Sequence, residues 1–173
     1  MVGVTRRRRG RKVKTSLCIV DAQSVKNTDT AEAKGFDGGK LVSGIKRHIG
    51  VDTEGLPHAI SVTTANVTDR QGAIDMVRQY ERNLSKVRKF IVDGGYSGPK
   101  FAAAVKALTG AAVEVAKRNE LHTFKVVPKR WVVERDFGWL EKQRRLWKNC
   151  ERKLHTSEQM VVLAFVAILL RRL

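Results

Sequence analysis

The 173-residue chain contains little cysteine, little proline and no long apolar run. Its two cysteines, Cys18 and Cys150, follow neither a disulfide pattern nor a metal-binding spacing, which favours reduced thiols in a cytoplasmic protein. The longest apolar run, residues 160–170, is shorter than the roughly 20 residues that a membrane-spanning helix needs. The first residues also lack the apolar stretch of a signal peptide. These absences predict an intracellular protein with no membrane partner.

Acidic residues are also scarce. The chain has 17 Asp and Glu against 34 Lys and Arg, which gives a formal net charge of +17. Self-repulsion from such an excess opposes compaction, so a polyanionic partner is expected. Phosphate backbones release condensed counterions when basic side chains neutralise them, and this favours nucleic acid over a small acidic ligand.

Residues 1–15 form a basic segment with seven Lys and Arg and few apolar side chains. This composition predicts a disordered arm over residues 1–15 that contacts DNA, followed by one domain over residues 16–173. The alternatives are a solubilising tail or the remnant of a longer protein. Hydrophobic residues make up 42% of the chain, which is typical of a globular domain.

Apolar periodicity and turn signals divide this domain into strands and helices in the order β-ββ-α-β-α-β-α-α. The order predicts an α/β fold, in which helices flank a mixed five-stranded sheet. A long basic helix and an apolar C-terminal helix end the chain, and residues 27–40 are expected to form a loop. The predicted strands are residues 17–20, 45–51, 57–64, 87–92 and 111–115, and the predicted helices are 68–84, 99–108, 128–153 and 156–170.

Two of the predicted strands end on the same pattern, Ile-Val-Asp, at Asp21 and Asp93. In open α/β sheets, ligands bind beyond the carboxyl ends of the strands, so two parallel neighbouring strands would bring these aspartates together. Carboxylate oxygens are ligands that Mg²⁺ prefers, and two ions about 4 Å apart can assist phosphoryl transfer. The alternative for each aspartate is an ordinary turn or helix cap.

The segment Val132–Arg135, continued by Phe137 and by residues 139–140 and 144–146, resembles the final catalytic segment of bacterial insertion-sequence transposases of the DDE group. The resemblance runs in order from about Ser16 to the C-terminus. Its other segments are residues 20–26 with the first aspartate, 44–53 with the second strand, 65–70 before the first helix, and 93–98 with the second aspartate.

This resemblance implies an RNase H-like catalytic domain in which Asp21, Asp93 and Glu134 hold Mg²⁺ or Mn²⁺, as two ions. It implies metal-dependent DNA cleavage and strand transfer. The family signature on the long helix is Tyr-Arg-Glu-Lys, and this chain departs from it at Val127 in the tyrosine position and Glu141 in the lysine position, with Lys142 one place later. On this helix, Asp136 and Glu141 are interpreted as solvated surface charges.

The basic residues near these motifs are candidates for DNA contact, because one-sided positive charge on a helix favours phosphates. The expected partners are transposon ends and target DNA, with a homo-oligomer in the synaptic complex and a location at the bacterial nucleoid. The candidate DNA contacts are Lys46, Arg47, His48, Arg130, Arg135, Lys142, Arg144 and Arg145.

Two other functions fit the composition: a basic nucleic-acid-binding protein without catalysis, and an RNase H-like nuclease that only hydrolyses. Transposases that the chain resembles usually carry a helix-turn-helix-like region before the first catalytic strand, and only about twenty residues precede Asp21 here. This predicts either a truncated form or the second frame of a frameshifted transposase, with an upstream helix-turn-helix protein as a partner.

Overall fold

The computed structural model describes residues 1–116 and 130–171. Within these ranges the chain forms one mixed sheet with helices on both faces. The strands are β1 Leu17–Lys26, β2 Gly35–Asp37, β3 Val42–Val51, β4 Pro57–Thr64, β5 Lys89–Val92 and β6 Ala112–Val115. The helices are α1 Val2–Arg8, α2 Asp69–Gln79, α3 Glu81–Leu84, α4 Pro99–Thr109, α5 Arg130–Glu141 and α6 Leu154–Leu170.

Strand β1 lies at the centre of the sheet. It pairs antiparallel with β3 on one side and parallel with β5 on the other. Strand β3 also pairs with β4 and β2, and β5 pairs with β6, so antiparallel and parallel ladders share one sheet. The predicted α/β fold with a mixed sheet is therefore correct, and β2 adds a short strand inside residues 27–40, which were expected to form a loop.

The alternation of β1 separates two hydrophobic cores. Ile19 and Val25 face the core that α5 and α6 cover, whereas Cys18 and Val20 face the core that α2 and α4 cover. A strand that is buried on both faces must be apolar at successive positions, and this explains the continuous run that marks β1 in the sequence.

Local signals correctly place two of the helices. The Thr68 hydroxyl accepts a hydrogen bond from the Gln71 amide at 3.2 Å and so caps α2. Pro99 opens α4, and Gly110 closes it in the left-handed conformation, with φ of 70°. The helix predicted to continue to residue 84 ends at Gln79, and the short helix α3 follows.

The long basic helix is shorter than predicted. It ends at Glu141, and residues 142–148 form turns. The cause lies at Asn149, whose amide donates to the Lys26 carbonyl at 2.8 Å and whose carbonyl accepts from Thr28 at 2.9 Å. These bonds tie the chain to the end of β1 and are incompatible with a continuous helix. The last helix begins earlier than expected, at Leu154, so Thr156 lies inside it and does not cap it.

The N-terminal arm, predicted to be disordered, contains the helix α1. Arg6 is 5% exposed and forms an ion pair with Asp52, which lies in the turn between β3 and β4. Burial alone would raise the pKa of Asp52, but hydrogen bonds from His58 and from the amides of Glu54 and Leu56 lower it. The arm is ordered because one of its arginines satisfies this buried carboxylate.

None of the helices within residues 1–116 and 130–171 is long and apolar enough to cross a membrane.

Replacing Arg6 by Met is expected to lower the free energy of unfolding by about 3 kcal/mol, because it leaves the buried Asp52 carboxylate short of a counter-charge. Urea unfolding monitored by circular dichroism measures this change. The matched control is Arg9→Met. Arg9 pairs with Glu54 at 3.0 Å on the exposed surface, and its loss should cost less than about 1 kcal/mol. Equal losses for the two variants would contradict the proposed role of the Arg6 pair.

Candidate active site

The parallel pairing of β1 with β5 sets the two aspartates side by side. Leu17 is opposite Lys89, and Ile19 is opposite Ile91. Two residues further in the same register, Asp21 is beside Asp93. Neighbouring strands lie about 4.8 Å apart, so the two aspartates start from adjacent backbone positions. Because Ile19 and Ile91 both face the core beneath α5, alternation directs both aspartates to the α5 face.

Asp21 lies in the middle of β1, where it pairs with Ile49, and not at the end of the strand as predicted. The strand continues to Lys26 because β3 pairs with it over its whole second half. One carboxylate oxygen of Asp21 accepts a hydrogen bond from the Ala22 amide at 2.8 Å. This hydrogen bond from the next backbone amide fixes the orientation of the Asp21 carboxylate.

Asp93 follows the last residue of β5 and caps a 3₁₀ turn over residues 94–96. Its Oδ1 accepts a hydrogen bond from the Gly95 amide at 2.8 Å. The capping function that was considered as the alternative for this aspartate is therefore present. Capping occupies one oxygen of the carboxylate and fixes its direction, so it is compatible with a second role for the group.

Helix α5 packs on the same face of the sheet through buried residues, including Val133 and Leu140. The Gln23 amide nitrogen donates to Oε1 of Glu141 at 2.7 Å, and Gln23 is two residues beyond Asp21 on the same face of β1. Glu134 precedes Glu141 by two helical turns, about 10 Å, and lies on the same flank of α5. The flank with both glutamates therefore faces the aspartate side of β1.

Glu134 lies on a different element from the two aligned aspartates. Across the parts of the chain that the structure describes, no group of three His, Cys, Asp or Glu side chains is placed to hold a metal ion. The strand register brings Asp21 and Asp93 together, whereas Glu134 is exposed on α5. The predicted start of this helix at Pro128, the Val127 position and the side chain of Arg130 lie outside the described residues.

Arg47 explains the acidic residue at position 141. It is opposite Gln23 in the β1–β3 ladder, and it is 1% exposed. Burial lowers the pKa of Arg47 to about 10, and the negative charge of Glu141 opposes this shift. Glu141 is exposed, as expected of a surface charge, and no ion pair joins these two described side chains, so its negative charge acts on the buried guanidinium only from a distance. A lysine here, as in the family signature, would face Arg47 with like charge.

The expectation that Lys46, Arg47 and His48 contact DNA is wrong for the described chain, because all three side chains are buried. The Lys46 ammonium lies between Asp69, at 2.8 Å, and Asp37, at 3.1 Å. The pKa of Asp37 would rise with burial, but hydrogen bonds from Ser24 and Lys46 lower it to about 2. The Lys46 charge is therefore already neutralised inside the protein.

His48 packs against α2 at Gly72, where any Cβ would overlap the imidazole ring. Its Nε2 lies 3.0 Å from the Thr63 hydroxyl. Burial lowers the pKa of His48 to about 4, so the ring is neutral near pH 7. This environment belongs to a core residue that fixes the distance between α2 and the sheet.

The predicted DNA contacts near α5 fall into two groups. Arg135 lies between two indole rings, 4.7 Å from the Trp131 centroid and 4.3 Å from that of Trp139, and donates to the Glu54 carbonyl at 3.0 Å. It therefore holds α5 against the β3–β4 turn. The other group follows α5 on the exposed turn and consists of Lys142, Arg144 and Arg145, the last of which pairs with Glu151 at 2.7 Å.

The structure contains a cleft of about 560 Å³ that the sequence interpretation missed, and neither Asp21 nor Asp93 is among its lining residues. The loop before β3, the start of α2 and Gly95 line the cleft. Lys40 donates to the Ala22 carbonyl at 3.1 Å, next to Asp21, and Arg70 donates to the Gly95 carbonyl at 2.8 Å, next to the Asp93 turn. The glycines before Lys40 marked a loop, but nothing in the local sequence placed that loop beside β1.

The mixed sheet with α5 over two aligned aspartates defines an RNase H-like fold. A solved structure with the same architecture is the catalytic core domain of BIV integrase, which aligns with a TM-score of 0.55 and 14% identity over 88% of this chain and 82% of that one. Residues 12–170 match the transposase DDE domain, and the chain belongs to this family. Proteins of this family bind DNA and use divalent metal ions.

A named relative is the "Putative transposase for insertion sequence element IS402" of Burkholderia cepacia. It is 34% identical over 117 residues, which are 64% of this chain. The chain spans 55% of the length of that relative.

The neutral His48 predicts loss of stability in mild acid. Unfolded histidine binds a proton below about pH 6.5, but folded His48 does so only below about pH 4. The contribution of the neutral ring to folding stability is therefore complete above about pH 6.5 and is lost as the pH falls from about 6.5 to about 4. We expect a loss of about 2 kcal/mol in urea unfolding between about pH 7.5 and about pH 5. His48→Gln should remove most of this loss, whereas His155→Gln, at an exposed site on α6, should retain it. An unchanged pH dependence in His48→Gln would refute the assignment.

Proposed function

We propose that this chain is the catalytic domain of an insertion-sequence DNA transposase, which cuts the transposon end and joins the exposed 3′-OH to target DNA. The observation that carries the proposal is the register of β1 and β5, which aligns Asp21 with Asp93 on the α5 face. Family membership supports the same activity.

In this proposal Asp21 and Asp93 hold divalent metal ions, with Glu134 as the third ligand. The donor set fits Mg²⁺ or Mn²⁺, because hard cations prefer carboxylate oxygens and retain positions for substrate phosphates. Two such ions, when bound, activate the attacking oxygen and stabilise the leaving one. The Ala22 and Gly95 amides keep the two aspartates directed at the site, since each binds one carboxylate oxygen.

The protein contributes by positioning the DNA and by placing positive charge near its phosphates. Lys40 and Arg70 line the cleft and donate to the carbonyls of Ala22 and Gly95, one and two residues beyond the aspartates, so they are suited to phosphates that flank the scissile bond. Lys142 and Arg144 are exposed on the turn after α5 and provide further phosphate contacts. The proposed partners are transposon-end and target DNA and a second copy of the chain in the synaptic complex, at the bacterial nucleoid.

Replacing Asp21 by Asn is expected to abolish strand cleavage and to leave DNA affinity within about twofold, because one neutral amide replaces a metal-binding carboxylate without a change in shape. The assay uses a duplex that carries the inverted repeats flanking the reading frame, and it scores cleavage and strand joining separately. The control is Asp75→Asn on α2, on the opposite face of the sheet, which should retain activity. Normal cleavage by Asp21→Asn would exclude the proposed site, and cutting without joining would identify a hydrolytic nuclease.

Glu134 and Glu141 share one flank of α5 and are expected to differ in function. Glu134→Gln should weaken calorimetric Mn²⁺ binding at least tenfold without loss of folding stability, because it removes a ligand from an exposed position. Glu141→Gln should leave Mn²⁺ affinity unchanged and lower the free energy of unfolding by less than about 1 kcal/mol, since the buried Arg47 loses a nearby negative charge. The reverse pattern would assign the metal ligand to Glu141.

A further inference from the structure

A second basic surface lies on the protein, away from the aspartates. It is a cavity of about 710 Å³, and every lining residue but Ser16 is cationic. Within the described ranges, no carboxylate lines it. The cationic lining residues are Arg6, Arg11, Lys12, Lys14, Lys86 and Arg88, and we call this group the arm cavity.

The arm cavity lies at the amino ends of the parallel strands. The Arg88 amide donates to the Ser16 carbonyl at 2.8 Å, which joins the two chain segments just before β1 and β5 begin. Asp21 lies five residues beyond Ser16, and Asp93 lies five residues beyond Arg88. At about 3.3 Å per residue, the cavity is roughly 16 Å from the aspartates along the strands. It is therefore a separate surface.

Part of its charge is neutralised within the protein. Arg6 pairs with Asp52, and Arg11 pairs with Glu54 at 2.8 Å. The other four cations, Lys12, Lys14, Lys86 and Arg88, form no ion pair with any described residue. Lys14 donates only to neutral oxygens, the Arg82 carbonyl and the Ser85 hydroxyl, each at 2.8 Å. Four positive charges therefore converge on one cavity.

The cavity is ordered before any ligand arrives. The buried Arg6 fixes the first half of the arm to the β3–β4 turn, and the two bonds of Lys14 fix its end to α3 and to Ser85, which follows that helix. Lys86 and Arg88 flank the buried Val87, and both line the cavity. Charges held in place bind an anion at a lower entropic cost than a free arm does.

We propose that the arm cavity binds the phosphate backbone of DNA. It would be a second DNA-binding surface, apart from the one at Asp21 and Asp93. The inference rests on the proposed function, because DNA is taken as the polyanion. A backbone fits better than a small anion, since several unneutralised cations spread over a wide cavity match successive phosphates and gain from counterion release. About 16 Å along the strands separates the two surfaces, so the arm cavity would hold a different stretch of DNA from the one that is cut.

The test uses the full chain with Asp21→Asn, in chelator, and measures the affinity for a duplex of about 20 base pairs at several salt concentrations. Lys86→Gln/Arg88→Gln should reduce the slope of log Kd against log salt by about 2, because each lost phosphate contact removes about 0.9. The control Lys153→Gln/Arg171→Gln removes the same charge from exposed positions at the two ends of α6 and should leave the slope nearly unchanged.

Equal slopes in the parent and the Lys86/Arg88 variant would overturn the inference, and so would equal reductions in both double variants, which indicate a general charge effect. If the Lys86/Arg88 variant loses affinity for inorganic phosphate and keeps the parent slope for DNA, the cavity binds a small anion and the inference is also overturned. A parent chain that binds no DNA at all would instead contradict the proposed function. Unchanged thermal unfolding of both variants confirms that the comparison concerns folded protein.

Discussion

The parallel pairing of β1 with β5 is the constraint on which the rest of the structure depends. It sets one register for six consecutive positions, from the Ser16–Arg88 hydrogen bond through the paired residues 17–19 and 89–91 to the aligned aspartates. A slip of one residue would turn one aspartate to the opposite face, because side chains alternate along a strand. The apolar residues between the two ends are buried on both faces, and this burial prevents such a slip.

Buried ion pairs organise a chain that carries a large positive excess. Arg6, Arg47 and Lys46 are taken out of the solvent, and Arg6 and Lys46 form ion pairs with carboxylates from other elements. Since a buried charge without a partner costs several kcal/mol, these contacts specify where α1, β2 and the start of α2 must lie.

Much of the fold was predictable because its signals are local. The apolar runs of β1 and β5, the Thr68 cap and the Pro99 and Gly110 boundaries each depend on a few neighbouring residues. The two aspartates were predictable as candidates for the same reason. The burial of Arg47 and His48 was not predictable, because the sequence of a strand does not show whether a helix or solvent covers a basic side chain. The end of α5 at Glu141 depends on Asn149 meeting the end of β1, a contact between residues more than a hundred positions apart.

The turn between β3 and β4 has one further consequence. Asp52 and Glu54 receive the arginines of the N-terminal arm, and the Glu54 carbonyl receives Arg135 from α5. Gly55, with φ of 77°, lets the backbone approach Asp136 so closely that a Cβ would collide with its carboxylate. The four turn residues 52–55 therefore anchor two segments, the N-terminal arm and α5, which belong to different surfaces. An insertion there would misalign the arm and the glutamate helix in one step, so the length of this short turn sets the geometry of both ends of the molecule.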